Sequence, residues 1–314
     1  MRKPLAERAR GRWRNLLPLV GVDSRFLSGK QGPCPMCDGK TRFRFDDLEG
    51  RGTWICNACG AGDGAELAMR VLGLDFRALA KRIDPLLGEA AQRPVKPTRS
   101  QDDCRRSMND LWRTSHAVTC DDPVGRYLFR RVGLTNVPAC LRCADRLRYQ
   151  DDVVSYHPAM IAMVMGHDGI PATLHRTYLA PGGTKADVEV PRRLMPGTIP
   201  DGAAIRLFDP APVLGIAEGI ETAFAAASLF GVPCWAAVSS TMLAKWIPPE
   251  DVREIIVFGD SDQKFAGQAS AYSLAHRLAM KGWPVRVELP ALAGADWNDV
   301  LLRKADFPRG LIAR

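Results

Sequence analysis

The last hundred residues alternate between unbroken apolar runs and segments with helical spacing. The runs VLGIA, VPCWAAV, EIIVFG and VRVEL are typical of strands that are buried on both faces. The segments between and after them predict helices that begin near Gly219, Ser240, Ala266 and Trp297. Apolar strands interleaved with helices predict an α/β domain whose sheet is mostly parallel and covered on both faces. Ligands of such sheets bind beyond the carboxyl ends of the strands.

Other patterns organise the first two thirds of the chain. LAERARGRWRNLLPLVG predicts one short helix that Pro18 and Gly21 close, and DGAELAMRVLG and DFRALAKRI predict two more, with Asp63 as a cap. Apolar periodicity then fades in EAAQRPVKPTRSQDD, which is typical of a linker. Residues 105–150 are expected to be mainly helical. MIAMVMGHDGIPATLHRTYL predicts two strands joined by a turn at 167–169.

Two Cys-x-x-Cys pairs lie in the N-terminal region. Eighteen residues separate Cys34 and Cys37 from Cys56 and Cys59. Four thiolates at this spacing close a tetrahedral zinc site without leaving an open position, so one structural zinc is expected. The glycines and prolines of GPCPMC and CNACGAG suit metal-binding knuckles.

The charge of the chain favours a polyanionic partner. Its 314 residues include 43 Lys and Arg against 35 Asp and Glu, a net charge of +8, with much of the excess in the first thirty residues. Between the cysteine pairs, TRFRF predicts a strand with Arg42 and Arg44 on one face and Phe43 and Phe45 on the other. We expect the arginines to contact nucleic-acid phosphates. Trp54 either stacks on a base or covers the metal site, and covering is favoured.

The cysteine-rich run CPMCDGKTRFRFDDLEGRGTWICNACGAGDGAELAMRVLG resembles the zinc-binding domain of phage- and plasmid-encoded primases and primase-helicases. It is more distantly similar to that of bacterial replicative primases, which commonly include a histidine among their ligands, whereas Cys37 makes this site all-cysteine. In that family the module helps to engage single-stranded template DNA. The resemblance therefore implies single-stranded DNA as a partner.

Acidic residues follow two of the predicted strands. Glu218 comes directly after the first strand of the last domain, and Asp260 and Asp262 follow the third. Clustered carboxylates hold magnesium, which bridges nucleotide phosphates and neutralises charge in phosphoryl transfer.

AEGIETAFAA and VFGDSD resemble the two signatures of the Toprim domain, which primases, topoisomerases and some nucleases share. The resemblance implies that Asp260 and Asp262 are ligands of Mg²⁺ or Mn²⁺, and that Glu218 is a further ligand or handles the proton of the primer hydroxyl. ADWNDVL resembles the third acidic motif and offers Asp296 and Asp299 as provisional ligands, although Asp296 equally suits a helix cap.

The chain also departs from this family. Replicative primases have an aspartate four residues after the catalytic glutamate, where Thr222 stands here, and Glu221 lies one place earlier. The identity of any further metal ligand is therefore open.

A basic segment precedes the Toprim signature. IPATLHRTYLAPGGTKADVEVPRRLMPG resembles the basic half of the primase polymerase domain, in which an arginine and a lysine face nucleotide and nucleic-acid phosphates. Arg176 and Lys185 fit those positions, and His175 is adjacent. The alternative is a solvated basic hairpin, and the paired Arg192 and Arg193 are weaker candidates.

Together these patterns predict an α/β chain in four segments. We expect a zinc-ribbon domain with flanking helices at 1–88, a linker at 89–104, the helical and basic part of a primase polymerase domain at 105–205, and a Toprim domain at 206–314.

The remaining cysteines do not predict a second metal site. A second pair, Cys140 and Cys143, fits an ordinary packed helix or turn better than a second metal site with Cys104 and Cys120. The uncharged stretch 222–244 is interrupted by glycine and proline, so a buried helix and a buried strand are expected rather than a membrane span. The basic start lacks the apolar core of a signal peptide, and a cytoplasmic location is expected.

The resemblance implies a DNA primase that makes short RNA primers on single-stranded DNA from ribonucleoside triphosphates. No GxxxxGK[ST] loop occurs in the sequence, so we expect any helicase to be a separate partner. Two alternatives remain open: a Toprim nuclease, which uses the same metal cluster with water as the nucleophile, and a zinc-dependent DNA-binding replication factor whose Toprim fold is inactive.

Overall fold

Two units make up the chain, residues 1–100 and residues 101–314. The computed structural model describes residues 4–88, 90–91, 100–151 and 153–303. Most of the predicted linker, residues 89 and 92–99, lies outside the described residues.

The first unit places a small antiparallel sheet, in the order β1-β2-β3, among four helices. Its core includes Trp13 and Leu16, Leu67 and Leu79, all buried. Its elements are α1 (Leu5–Arg8), α2 (Trp13–Val20), β1 (Phe43–Phe45), β2 (Trp54–Cys56), β3 (Gly60–Gly62), α3 (Gly64–Leu72) and α4 (Phe76–Leu86).

The N-terminal helix differs from the prediction, because the structure breaks it into α1 and α2. Gly11 lies at the break with a φ of 75°, and its N–H donates to Gly50 O at 2.7 Å. Pro18 lies inside α2 and does not end it, and Gly21 ends the helix in a left-handed conformation with a φ of 110°. The second predicted helix is confirmed as α3, with the Asp63 carboxylate accepting from Glu66 N at 2.9 Å.

The second unit contains two sheets with helices packed around them. Its elements are α5 (Gln101–Thr114), β4 (His116–Ala117), α6 (Pro123–Val132), β5 (Leu141–Gln150), β6 (Val154–Met165), β7 (Pro171–Tyr178), β8 (Arg192–Leu194), β9 (Val213–Ala217), α7 (Ile220–Phe230), β10 (Cys234–Ala236), α8 (Ser240–Lys245), β11 (Glu254–Phe258), α9 (Ala266–Ala279), β12 (Val285–Glu288) and α10 (Trp297–Arg303).

The first sheet of this unit is antiparallel, in the order β4-β5-β6-β7-β8. The predicted hairpin at 167–169 is confirmed, with Gly169 at a φ of 78° between β6 and β7. Two expectations are corrected. Residues 141–150, expected to be helical, form β5, whose residues pair in register with β6; residues 101–104, assigned to the linker, form the first turn of α5.

The second sheet is parallel throughout, in the order β10-β9-β11-β12. The predicted strands and the helices between them are confirmed. The uncharged stretch 222–244 forms most of α7 and then β10, a buried helix and a buried strand as expected. Within the described part of the chain, no helix has the length and apolar character needed to cross a membrane.

Backbone bridges join the two sheets. Met165, at the end of β6, pairs with Ala204, and the neighbouring Ile205 pairs with Ala236 of β10. Buried residues of α6, β6 and α7 share one core. One face of the antiparallel sheet is thereby packed toward the helices that flank the Toprim-like sheet.

Candidate functional site

Four cysteine sulfurs gather at one point of the first unit. Cys34 Sγ lies 3.8 Å from Cys59 Sγ, and Cys37 Sγ lies 3.8 Å from Cys56 Sγ. A tetrahedral zinc site with Zn–S bonds of about 2.3 Å has sulfur–sulfur edges of about 3.8 Å. The four thiols therefore fit one structural zinc ion.

Local geometry brings these sulfurs together. Cys34 N donates to Gly39 O at 2.9 Å in the first knuckle, and Gly60, with a φ of 91°, turns the chain after the second. Burial raises the pKa of the Cys34 and Cys59 thiols, and the neighbouring cysteines raise that of Cys59 further. A bound dication would stabilise the thiolates that this crowding disfavours.

The strand between the cysteine pairs alternates as expected. Phe43 and Phe45 are buried and Arg44 is exposed. Arg44 is ion-paired with Asp46, and Arg42 is half-buried. Trp54 is buried against Phe43 with a ring separation of 6.0 Å, so it packs beside the metal site and is not available for base stacking.

Parallel pairing brings the predicted carboxylates to one edge of the Toprim-like sheet. Ala217 of β9 and Phe258 of β11 are paired neighbours. Glu218 directly follows the first, and Asp260 follows the second after Gly259. Both acidic residues therefore lie at the carboxyl ends of adjacent strands, as the sequence predicts.

Asp260 is the electrostatic centre of this acidic edge. Burial raises its pKa, and the charges of Glu218 and Asp296 raise it further, to about 7; Asp262 adds a smaller contribution. Asp260 Oδ1 is buried and has no hydrogen-bond partner among the described residues. An orphaned carboxylate oxygen beside other carboxylates fits a divalent cation such as magnesium.

The other predicted acidic ligands also hold helix ends. Asp262 accepts from the backbone N–H groups of Ala266 at 3.1 Å and Gly267 at 2.6 Å, at the start of α9. Asp296 accepts from Asp299 N at 2.8 Å, and Asp299 accepts from Asp296 N at 3.2 Å, at the start of α10. These three carboxylates thus already have backbone partners, and their metal roles stay predictions.

The predicted basic residues lie on two different faces of the antiparallel sheet. Register pairs His175 with Ala162 and Arg176 with Ile161, so the two side chains point to opposite sides. Arg176 Nη2 donates to Leu194 O at 2.9 Å and its guanidinium lies 5.9 Å from the Tyr178 ring. Arg176 therefore lies away from the acidic edge, and its contact with phosphate stays a prediction.

Lys185, His175 and Arg192 lie on the face that packs toward α6 and α7. Lys185 bridges to the buried Leu179, and Arg192 pairs with Thr177. Burial, with Arg192, lowers the pKa of His175 to about 4, so this imidazole is neutral at pH 7. From the sequence, Arg192 is a weaker candidate for phosphate contact than Arg176. The strand register shows that Arg192, rather than Arg176, shares a face with Lys185.

Glu221 lies one place before Thr222, the position that departs from the family pattern, and is buried in the first turn of α7. Its carboxylate accepts from Arg192 Nη2 at 2.5 Å and from the Tyr127 hydroxyl. Thr222 is buried beside it. Glu221 is therefore an ion-pair partner of the basic face.

The second Cys-x-x-Cys pair lies in a turn and a strand, with Cys140 before β5 and Cys143 within it, so the expectation of a helix or turn is wrong for Cys143. Cys143 is fully buried in the core, and burial raises the pKa of its thiol to about 12. It lies near His116 and Asp145, whose side chains pair at 3.1 Å. Within the described ranges, Cys104, Cys120 and Cys140 join no group of potential metal ligands.

Comparison with known families matches three parts of the chain. Residues 29–65 match the zinc-binding domain of primase-helicase, residues 213–306 match the Toprim domain, and residues 102–207 match a domain of unknown function, DUF7146. The first two matches contain the four cysteines and the acidic edge.

Several solved primase structures are similar to this chain at low identity. The Aquifex aeolicus primase, with its zinc-binding and RNA polymerase domains, is 13% identical over 93% of this chain and 82% of its own, with a TM-score of 0.43. The primase fragment of the bacteriophage T7 primase-helicase protein is 13% identical over 88% and 96%, with a TM-score of 0.39. The Escherichia coli primase catalytic core is 13% identical over 66% and 70%, with a TM-score of 0.35.

These likenesses are too distant to establish function, so the two domain matches carry the assignment. Matches to the zinc-binding domain of primase-helicase and to the Toprim domain occur here in one polypeptide, and the four cysteines of the first match are gathered as one potential metal site. The two domain matches support a primase-type protein.

Proposed function

We propose that this protein is a DNA primase that synthesises short RNA primers on a single-stranded DNA template. The observation that carries the proposal is the pairing of charges in the second unit. Arg192 donates to Glu221, which lies in the first turn of α7 three residues after Glu218, and Lys185 shares the face of Arg192. A nucleotidyl transferase needs both signs of charge, because cations hold the triphosphate while carboxylates organise the reacting groups.

In this proposal the zinc module engages the template, with Arg42 and Arg44 near its phosphates. Lys185 and Arg192 hold the phosphates of the incoming nucleotide. Asp260 and Glu218 would hold Mg²⁺ or Mn²⁺, which supplies charge neutralisation at the phosphates when bound. Asp262, Asp296 and Asp299 remain proposed further ligands, and His175 and Arg176 remain proposed nucleotide or nucleic-acid contacts.

Primer extension forms a bond between the 3′ oxygen of the growing strand and the α-phosphorus of the incoming nucleotide. The bond from that phosphorus to the β-phosphate oxygen breaks, and pyrophosphate leaves. The 3′ hydroxyl loses a proton, which Glu218 accepts unless its carboxylate is occupied as a ligand. A separate helicase is proposed to supply the single-stranded template.

The test is synthesis from ribonucleotides on a long single-stranded DNA circle of mixed sequence, with Mg²⁺ or Mn²⁺. We expect new RNA of short length from the wild-type protein, reduced at least about 100-fold in Glu218→Gln. Glu254→Gln is the matched control, because Glu254 lies at the amino end of β11, the opposite end from Asp260, and pairs with Arg286 at 3.5 Å.

Other outcomes have distinct meanings. Degraded DNA that Glu218→Gln does not degrade would indicate a nuclease. DNA binding with neither synthesis nor cleavage would indicate a replication factor without catalysis. Either result contradicts the primase proposal.

A further inference from the structure

A buried carboxylate holds the arginine that faces the acidic edge. Glu221, on α7, is 4% exposed, while the side chain of its partner Arg192, on β8, keeps 42% of its surface exposed. Arg192 Nη2 donates to Glu221 Oε1 at 2.5 Å, and the Tyr127 hydroxyl of α6 donates to the same oxygen. One end of the guanidinium is therefore anchored inside the protein while the rest remains accessible.

The anchor is charged. Burial alone would raise the pKa of Glu221, but Arg192, the Tyr127 hydroxyl and Lys185 lower it to about 2. The ion pair raises the pKa of Arg192 as well. A pair of this kind contributes little stability compared with apolar side chains of the same volume, because both ions lose hydration. A role in orienting Arg192 accounts for it better than stability does.

Arg192 lies on the side of the acidic edge rather than on the far face of the sheet. Its partner Glu221 is in the first turn of α7, three residues after Glu218 at the end of β9. The adjacent Arg193 points to the other face, where its guanidinium lies 3.9 Å from the Tyr149 ring. Strand alternation and the Glu221 anchor together select one of two neighbouring arginines for the catalytic face.

A guanidinium has five N–H donors, and the Glu221 contact uses Nη2. The exposed remainder has the geometry to bind two phosphate oxygens at once, which a lysine ammonium does not. Lys185 lies on the same face, because it bridges to Leu179; burial and then the charge of Arg192 lower its pKa.

We propose that Glu221 and Tyr127 are positioning residues, which hold the Arg192 guanidinium at the acidic edge so that its free N–H groups bind the triphosphate of the incoming nucleotide. This inference rests on the proposed function and adds a specific hydrogen-bond donor to the phosphates. A purely structural tie between α6, α7 and β8 is the alternative.

Nucleotide binding by the full chain tests the proposal without requiring synthesis. The probe is a fluorescent ATP analogue, titrated in the presence of Mg²⁺ and single-stranded DNA. We expect Glu221→Gln to raise the dissociation constant roughly tenfold, as loss of an orienting partner typically does. Glu254→Gln is the matched control and should bind as the wild type does, and DNA affinity should be unchanged in both variants.

A double-mutant cycle separates positioning from a structural tie. If Glu221 acts through Arg192, Glu221→Gln adds no further loss to Arg192→Gln, and the double variant binds the nucleotide as Arg192→Gln alone does. Tyr127→Phe should give a smaller loss in the same direction. Additive losses, or a loss that follows the melting temperature, would overturn the proposal.

Failure of the positioning proposal is distinguishable from failure of the primase assignment. Wild-type primer synthesis with unchanged nucleotide binding in Glu221→Gln leaves the assignment standing and overturns the inference. Nucleotide binding that depends on Glu221, in a chain that makes no primer, supports the inference and overturns the assignment. A wild-type chain that binds no nucleotide overturns the inference.

Discussion

The zinc site and the acidic edge are both predicted to hold metal ions, but they are assembled differently. The four sulfurs come from two knuckles close in sequence, and they meet at the spacing of a metal tetrahedron. The acidic edge comes from β9, β11 and the segment before α10, and three of its carboxylates also cap helices. The cysteines are brought together by local turns, whereas the carboxylates are brought together by the order of the strands, and three of them also stabilise helix ends.

The largest effect is expected at the zinc site. Cys56→Ser should abolish zinc binding and the folded state of the first unit, because structural zinc contributes on the order of 10 kcal/mol to domains of this kind. Metal analysis should find one zinc per chain in the wild type and none in the variant, with a loss of protease resistance within residues 4–88.

Cys120→Ser is the matched control, since Cys120 is exposed and lies in the second unit. Full zinc content in Cys56→Ser would contradict the four-thiolate site.

At the acidic edge, in contrast, a substitution is expected to increase the stability of the folded protein. Because burial and neighbouring carboxylates raise the pKa of Asp260 to about 7, the folded state loses stability as pH rises from about 4 through 7. At pH 8, without added Mg²⁺, Asp260→Asn should therefore stabilise the protein by about 2–4 kcal/mol while abolishing synthesis. Urea denaturation beside the primer assay measures both.

A destabilised Asp260→Asn variant at pH 8 would mean that the carboxylate is satisfied within the fold. The acidic edge would then resemble a structural network more than a metal site.

His175 provides a test from the basic face. Its pKa is lowered to about 4 by burial and Arg192, so the unfolded chain takes up the proton first as pH falls. The stability that the neutral, buried His175 gives to the folded state is fully present above about pH 6.5. It is lost progressively toward pH 4, by about 3 kcal/mol.

The stability difference between wild type and His175→Gln, followed by urea denaturation from pH 7 to 4, should change by that amount. A difference independent of pH would mean that the imidazole is accessible to protons in the folded state.

The smallest effect concerns the double use of Asp262. Asp262→Ala removes the cap of α9 and should cost about 1 kcal/mol, as removal of a helix cap does. Asp262→Asn keeps a capping oxygen but removes the carboxylate charge. Lost synthesis with an unchanged melting temperature in Asp262→Asn would show a metal role, and unchanged synthesis would limit Asp262 to the cap.

Local spacing explains why the zinc site could be predicted from the sequence. The same holds for the parallel sheet, because each apolar run has the length of a buried strand and the intervening helices fix the direction of the next. The position of Glu218 and Asp260 at one edge followed from that topology alone.

The basic face could be predicted only in part. Strand alternation already implies that His175 and Arg176 cannot point to the same site, a signal that the sequence contained. The pairing of Arg192 with Thr177 depends on the register of β8, which a three-residue strand after a long loop does not reveal. The helix-capping role of Asp262 likewise depends on where α9 begins.

The bridges at Met165–Ala204 and Ile205–Ala236 join the sheet that carries Arg192, with Lys185 bridged beside it, to the sheet whose strands the acidic residues follow. Both sets of charges are thereby tied through backbone hydrogen bonds, two of which, between Met165 and Ala204, measure 2.9 Å. The separation of the cations from the carboxylates is then set by the backbone of the folded chain.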